Sequence, residues 1–165
     1  IRIPVGIVNG DVATLDFDCT GTLIGYMIQG ATGSGKTLVG ELAGITQALK
    51  GKKFVFLTNS PERTPHELSM KLERMGLSVS PDHFYTSALA TATFLKEQSP
   101  GCSVYVIGEA GLVNALYQAG CVMNDINPDY VVVGESKSYT LDSITKATNL
   151  VLNGAKLIGA TLAAT

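Results

Sequence analysis

The chain has 165 residues, 45% of them hydrophobic and only 16% charged, with a formal net charge of −2. That size supports one ordinary domain or two small ones with a real core, and the composition excludes intrinsic disorder. That net charge argues against the clustered positive field a nucleic-acid surface needs, no run of about 18 apolar residues is available to span a membrane, and residues 1–8 lack the basic start and long apolar stretch of a signal peptide.

Cys19, Cys102 and Cys121 are scattered, without a C-x-x-C pair, and the histidines are His66 and His83 alone. Neither a disulfide framework nor a zinc or histidine-based metal site is expected, and a reduced, cytoplasmic setting is the default. The first residue is not Met, which reads as a start that is processed, trimmed or missing.

Along the chain, apolar strand-like runs alternate with helical patterns, which predicts an α/β fold with a parallel sheet and flanking helices. Residues 12–17 read as a strand and 23–29 as a second, followed by a helix over 37–50. Residues 53–58 form an apolar run expected to be a strand buried on both faces. Thr64-Pro65-His66-Glu67 is a helix start: Thr64 can cap, Pro65 suits the first turn and Glu67 completes a capping box. That helix should stop near Met75-Gly76. Further on, Ser87 is the expected cap of a helix over 88–98, with a strand at 104–107 and a helix over 112–119 stopped by Gly120. A strand at 129–133 precedes a helix capped by Thr140 and ended by Gly154, and 156–158 is a last short strand. Ser80-Pro81-Asp82 is the best boundary between subdomains, dividing the chain into 1–80 and 81–165.

Asp16 and Asp18 stand at i and i+2 after the apolar stretch ending in Leu15. At the C-terminal end of a strand in a parallel sheet, such a pair sits where these sheets bind ligands. One carboxylate could attack phosphorus while the other trades protons with leaving group and water, and both could help hold Mg²⁺. Taken alone, the pair is equally compatible with an ordinary strand-end turn.

Asp16-Phe17-Asp18-Cys19-Thr20 resembles the first motif of the haloacid dehalogenase phosphatases, and Phe54-Val55-Phe56-Leu57-Thr58-Asn59 resembles their second. The Leu-Thr-Asn ending is similar to the NagD-like branch, as are the runs 84–92, 104–109, 128–134 and 153–158. The resemblance implies a Rossmann-like core, here incomplete, with an α/β cap-like unit. It implies Asp16 as nucleophile, Asp18 as general acid/base, both as Mg²⁺ ligands, and Thr58 on the phosphoryl oxygens with Asn59 beside it. The implied substrate is a small phosphomonoester such as a nucleotide or sugar phosphate. Asp18-Cys19-Thr20-Gly21-Thr22-Leu23 departs from the branch and looks instead like the phosphorylated loop of P-type ATPases, which makes Asp18 a competing nucleophile. Ala160-Thr161-Leu162 departs from the family's continuation. The later lysine and acidic residues of the family have no counterpart before Thr165, so a folded chimera without catalytic activity is a further alternative.

Gly30-Ala31-Thr32-Gly33-Ser34-Gly35-Lys36-Thr37 fits the phosphate-loop pattern G-x-x-x-x-G-K-[ST], between a predicted strand and a predicted helix. Gly30, Gly33, Ser34 and Gly35 would let backbone N–H groups wrap a phosphate, with Lys36 on the terminal phosphates and Thr37 on magnesium. The segment resembles the motif of helicase-like ATPases and makes ATP a candidate ligand, although no later apolar strand ends in a suitable aspartate. A glycine-rich connector that binds nothing has the same composition. NagD-like proteins do not carry the motif, so the sequence reads as a composite. An incomplete sheet would leave an unpaired edge, which points to a homodimer.

Overall fold

The computed structural model describes residues 2–8, 11–16, 55–74, 78–137 and 139–161, with side chains described from residue 55 onward. Two compact units are present, Ile1–Phe56 and Leu57–Thr165. The predicted strand over 23–29 and the helix over 37–50 lie outside the described residues.

In the first unit, β1 (Arg2–Val8) and β2 (Asp11–Asp16) form an antiparallel hairpin with Arg2 opposite Asp16 and Val8 opposite Asp11. The register slips between Pro4 and Gly6, where Pro4 lacks a ladder N–H and Gly6 tolerates irregular backbone. Among the described residues, the neighbour of the strand carrying Asp16 is therefore antiparallel, where a parallel one was expected. Strands joined by so short a connection can pair only antiparallel, since a parallel pairing needs a crossover of roughly a dozen residues or more. The sequence signal for the hairpin is Asn9-Gly10, the pair such turns favour.

β3 (Phe56–Thr58) pairs with β4 (Phe84–Thr86) in a two-stranded sheet. Between them in sequence lie helix α1 (Pro65–Arg74) and a single 3-10 turn, Pro81–His83, which Ser80 caps; the anticipated boundary at Ser80 thus falls on a turn within the second unit. The α1 capping box forms as read: the Glu67 N–H donates to Thr64 Oγ1 at 3.2 Å and the Thr64 N–H to Glu67 Oε2 at 2.8 Å. The Thr64 amide first, and then the Thr64 hydroxyl, which donates to the same Oε2 at 3.0 Å, hold the Glu67 carboxyl below its ordinary range. β3 corrects a second expectation. It is not buried on both faces, because Leu57 is 79% exposed, and β4 is its neighbour among the described residues.

A four-stranded, all-parallel sheet of order β6-β5-β7-β8 makes the rest of the second unit, from β5 (Ser103–Ile107), β6 (Val122–Met123), β7 (Tyr130–Val133) and β8 (Lys156–Gly159). Helix α2 (Ser87–Gln98) leads into it, α3 (Ala110–Gln118) crosses from β5 to β6, and α4 (Leu141–Leu152) crosses from β7 to β8. Strand alternation sorts the core into two layers. Val104, Tyr130 and Val132 pack with Ala92, Leu95, Leu112 and Leu116 of α2 and α3 on one face. Val131 and Ile107 pack with Ala147 and Leu150 of α4 on the other. Near-continuous apolar strands are what a sheet covered on both faces requires.

The helix ends follow local chemistry. Gly120 (φ +92°) and Gly154 (φ +112°) take the left-handed position after α3 and α4. After α3 the Cys121 N–H reaches Leu116 O, and after α4 the Ala155 N–H reaches Leu150 O, the long bond of a Schellman stop. Thr140 caps α4 in a capping box with Ser143. The cap of α2 is Thr86 rather than Ser87: the Leu89 N–H donates to Thr86 Oγ1 at 3.2 Å. Thr86 ends β4 in extended backbone, which is where a cap must sit, whereas Ser87 is already helical. Cys102 and Cys121 are buried and free, their sulfurs 3.8 Å apart, and burial pushes the Cys102 thiol up to about 11. Among the described residues no helix is long and apolar enough to cross a membrane.

Candidate functional site

Asp16 is the last residue of β2, at a strand end as its sequence position implies. Asp18 and the phosphate-loop residues Gly30, Gly33, Ser34, Gly35, Lys36 and Thr37 lie outside the described residues. Thr58 and Asn59 belong to the second unit and Asp16 to the first.

Thr58 is the last residue of β3 and half-buried. Its Oγ1 accepts a bond from the Ser60 N–H at 3.3 Å. An amide bound to the oxygen leaves the hydroxyl proton to be donated elsewhere, which is what binding a phosphoryl oxygen demands. The exposed Asn59 contributes its backbone carbonyl to a different task. That oxygen accepts from Ser87 Oγ at 3.0 Å and from Thr161 Oγ1 at 3.1 Å, and the two hydroxyls lie 3.3 Å from each other. Sequence reading did not single out Ser87 or Thr161 as site residues. Their only local signal is that each is a hydroxyl residue just beyond a strand.

The chain after Thr58 is seated on the ends of the parallel strands. Connections leave β5 and β7 in opposite directions across the sheet, so the crevice between their C-terminal ends is the switch point of a doubly wound sheet. Pro61, fully buried, fills that crevice: a Cβ added at Gly134 would lie 3.4 Å from Pro61 Cγ and 2.7 Å from Leu112 Cδ2. At the start of α3 the Gly111 N–H donates to Glu62 O at 3.1 Å. A Cβ at Gly111 would come within 2.6 Å of Pro61 O and 2.7 Å of Arg63 C, backbone atoms that cannot swing aside. Glycine is therefore required there for the loop to dock.

Glu109, just after β5, ties the ends of β5 and β7 together. Its Oε1 accepts from Ser136 Oγ at 2.8 Å and from the Lys137 N–H at 3.0 Å. The Ser136 hydroxyl first, and then the Lys137 amide, keep this carboxyl below the usual carboxylate range. Among the described residues no group of three or more His, Cys, Asp or Glu is placed to hold a metal ion.

A doubly wound α/β unit with the segment that follows Thr58 packed on its strand ends defines the class: a Rossmann-like α/β protein. Residues 15–122 match the haloacid dehalogenase-like hydrolase family. The chain belongs to that family, on its NagD-like phosphatase branch. It is 46% identical over 106 residues to the dihydroxyacetone phosphatase of Corynebacterium glutamicum strain R, covering 64% of this chain and 38% of that protein. It is also 46% identical over 109 residues to the ribonucleotide monophosphatase NagD of Escherichia coli K12, covering 66% of this chain and 43% of that protein. The crystal structure of a putative p-nitrophenyl phosphatase from Bacillus subtilis superposes with a TM-score of 0.69 at 30% identity, over 78% of this chain and 50% of that one. The chain thus spans less than half the length of these two curated relatives.

Proposed function

We propose that the chain carries part of the site of a magnesium-dependent phosphatase that hydrolyses small phosphomonoesters, nucleotide or sugar phosphates, through an aspartyl phosphate. The observation that carries this is the Thr58 turn: a hydroxyl whose oxygen is engaged by the Ser60 amide and whose proton is left to donate, at a strand end in a chain of this family. The substrate class is supported by relatives whose names specify dihydroxyacetone phosphate and ribonucleotide monophosphates as what they act on. In this reading residues 1–80 are the partial core with the glycine-rich loop, and 81–165 are the cap-like unit.

The steps follow from the residue types. An Asp16 carboxylate oxygen attacks phosphorus and the ester oxygen leaves with a proton from Asp18. Water then attacks the acyl phosphate, Asp18 takes its proton, and Asp16 is regenerated. Thr58 donates its hydroxyl proton to a phosphoryl oxygen and so orients the group. Two carboxylates at i and i+2 supply the hard oxygen donors that Mg²⁺ prefers, with water and phosphate as the usual remaining ligands, so Asp16 and Asp18 fit as its holders. When bound, the cation would neutralise charge on the transferring group. Hydrolysis of p-nitrophenyl phosphate with Mg²⁺ tests the reading. Thr58→Val should lower kcat/KM by about tenfold to a hundredfold, the scale of one hydrogen bond to a charged group. Unchanged kcat/KM in that variant would remove Thr58 from the site.

A second reading rests on the eight-residue match at Gly30 to Thr37: a nucleotide-binding loop that holds ATP with little turnover. Lys36→Ala should then weaken binding of ATP with Mg²⁺ by about 1.5–3 kcal/mol, with ester hydrolysis barely altered. Calorimetry that registers no ATP heat in the parent chain would leave the loop a connector.

A further inference from the structure

Two hydroxyls from remote parts of the chain converge on one exposed carbonyl. Ser87 lies 28 residues and Thr161 102 residues from Asn59, yet both contact its oxygen, at 3.0 and 3.1 Å. Burial does not demand this. Asn59 is exposed, and water would satisfy its carbonyl at no structural cost. The two hydroxyls carry two protons for three edges of the triangle; when both are donated within it, at most one takes the Ser87–Thr161 edge and the carbonyl receives the other.

The carbonyl of Asn59 and the N–H of Ser60 are two ends of the same planar peptide group. Pinning one end fixes the direction of the other, and the Ser60 N–H is the group that engages Thr58 Oγ1. We propose that Ser87 and Thr161 are positioning residues for the phosphate-binding turn, acting through the Asn59–Ser60 peptide plane to hold the Thr58 hydroxyl in its donating orientation. The inference rests on the reading of Thr58 as a phosphoryl ligand and extends it to two side chains that do not touch substrate. Both are themselves anchored. Ser87 begins α2 directly after the buried cap Thr86. Thr161 follows Ala160, which is buried and whose N–H donates to Val133 O at 2.8 Å.

The test combines amide hydrogen exchange at Ser60 with titration of inorganic phosphate followed by the amide signals of residues 58–60. In the double variant Ser87→Ala with Thr161→Val, Ser60 should exchange about tenfold faster and phosphate should bind about tenfold more weakly, while the midpoint of urea unfolding stays at the parent value. Ser87→Ala alone should give a smaller change, because Thr161 still holds the carbonyl, and Ser87→Thr should restore parent behaviour in both readouts. Phosphate binding lost in Thr58→Val but unchanged in the double variant, with Ser60 exchange also unchanged, would overturn the positioning role and leave the phosphate site standing. A parent chain in which phosphate moves none of these amides would overturn the phosphate reading and this inference together.

Discussion

Leu112→Ala should lower the free energy of unfolding by about 4 kcal/mol, in the upper part of the range for buried Leu truncations. Leu112 is 0% exposed in the first turn of α3, and its side chain fills the space that two glycines leave open. A Cβ at Gly108 would lie 2.8 Å, and one at Gly134 2.7 Å, from Leu112 Cδ2. The ends of β5 and β7 therefore lack side chains at the points where this leucine enters. Its removal leaves a cavity beside two positions that carry no side chain of their own, and an unfilled cavity is the condition for a large cost. Urea unfolding should show a lowered midpoint with an unchanged slope. Gly134→Ala should destabilise the parent, because the new methyl must push Leu112 aside, yet recover part of the loss in the Leu112→Ala chain. That coupling of opposite sign is what contact between the two positions requires. A cost under about 1 kcal/mol for Leu112→Ala would mean that the strand ends close over the space.

Asp16→Asn should reduce turnover of a small aryl phosphate by at least about a thousandfold, the scale of losing a covalent nucleophile. The amide keeps the size of the side chain but has no charge to attack phosphorus or to hold Mg²⁺. Asp18→Asn should also be severe, since the proposed mechanism routes leaving-group protonation and water activation through it, but it should still allow an acyl phosphate to form. Retained turnover in Asp16→Asn would transfer the nucleophile's role to Asp18, as the Asp18-Cys19-Thr20-Gly21-Thr22 run independently suggests.

Much of the second unit is legible in sequence because its boundaries are set by local chemistry. Thr64 with Glu67, Thr140, Gly120 and Gly154 each act within a few residues, and each does what its type requires. Thr86 displaced Ser87 as the cap because the choice between adjacent hydroxyls depends on where β4 ends, which sequence periodicity does not specify. β4 and β6, at three and two residues, are too short to carry a period. β1 contains Pro4 and Gly6, both poor strand formers, and its signal lies in Asn9-Gly10 rather than in the strand itself. The apolar run ending at Leu57 looks like a doubly covered strand, but apolar content alone does not say which elements cover it. The site divides in the same way. Thr58 and Asp16 are legible as strand-end residues, whereas Ser87 and Thr161 become visible only when folding brings them to Asn59 across 28 and 102 residues.

The aspartyl phosphate can be sought directly. The chain, incubated with p-nitrophenyl phosphate and Mg²⁺, is quenched in acid, treated with labelled borohydride to reduce any acyl phosphate, and digested for peptide mapping. Label at Asp16, lost in Asp16→Asn, is the predicted result; label at neither Asp16 nor Asp18, in a chain that hydrolyses the ester, would contradict the covalent mechanism.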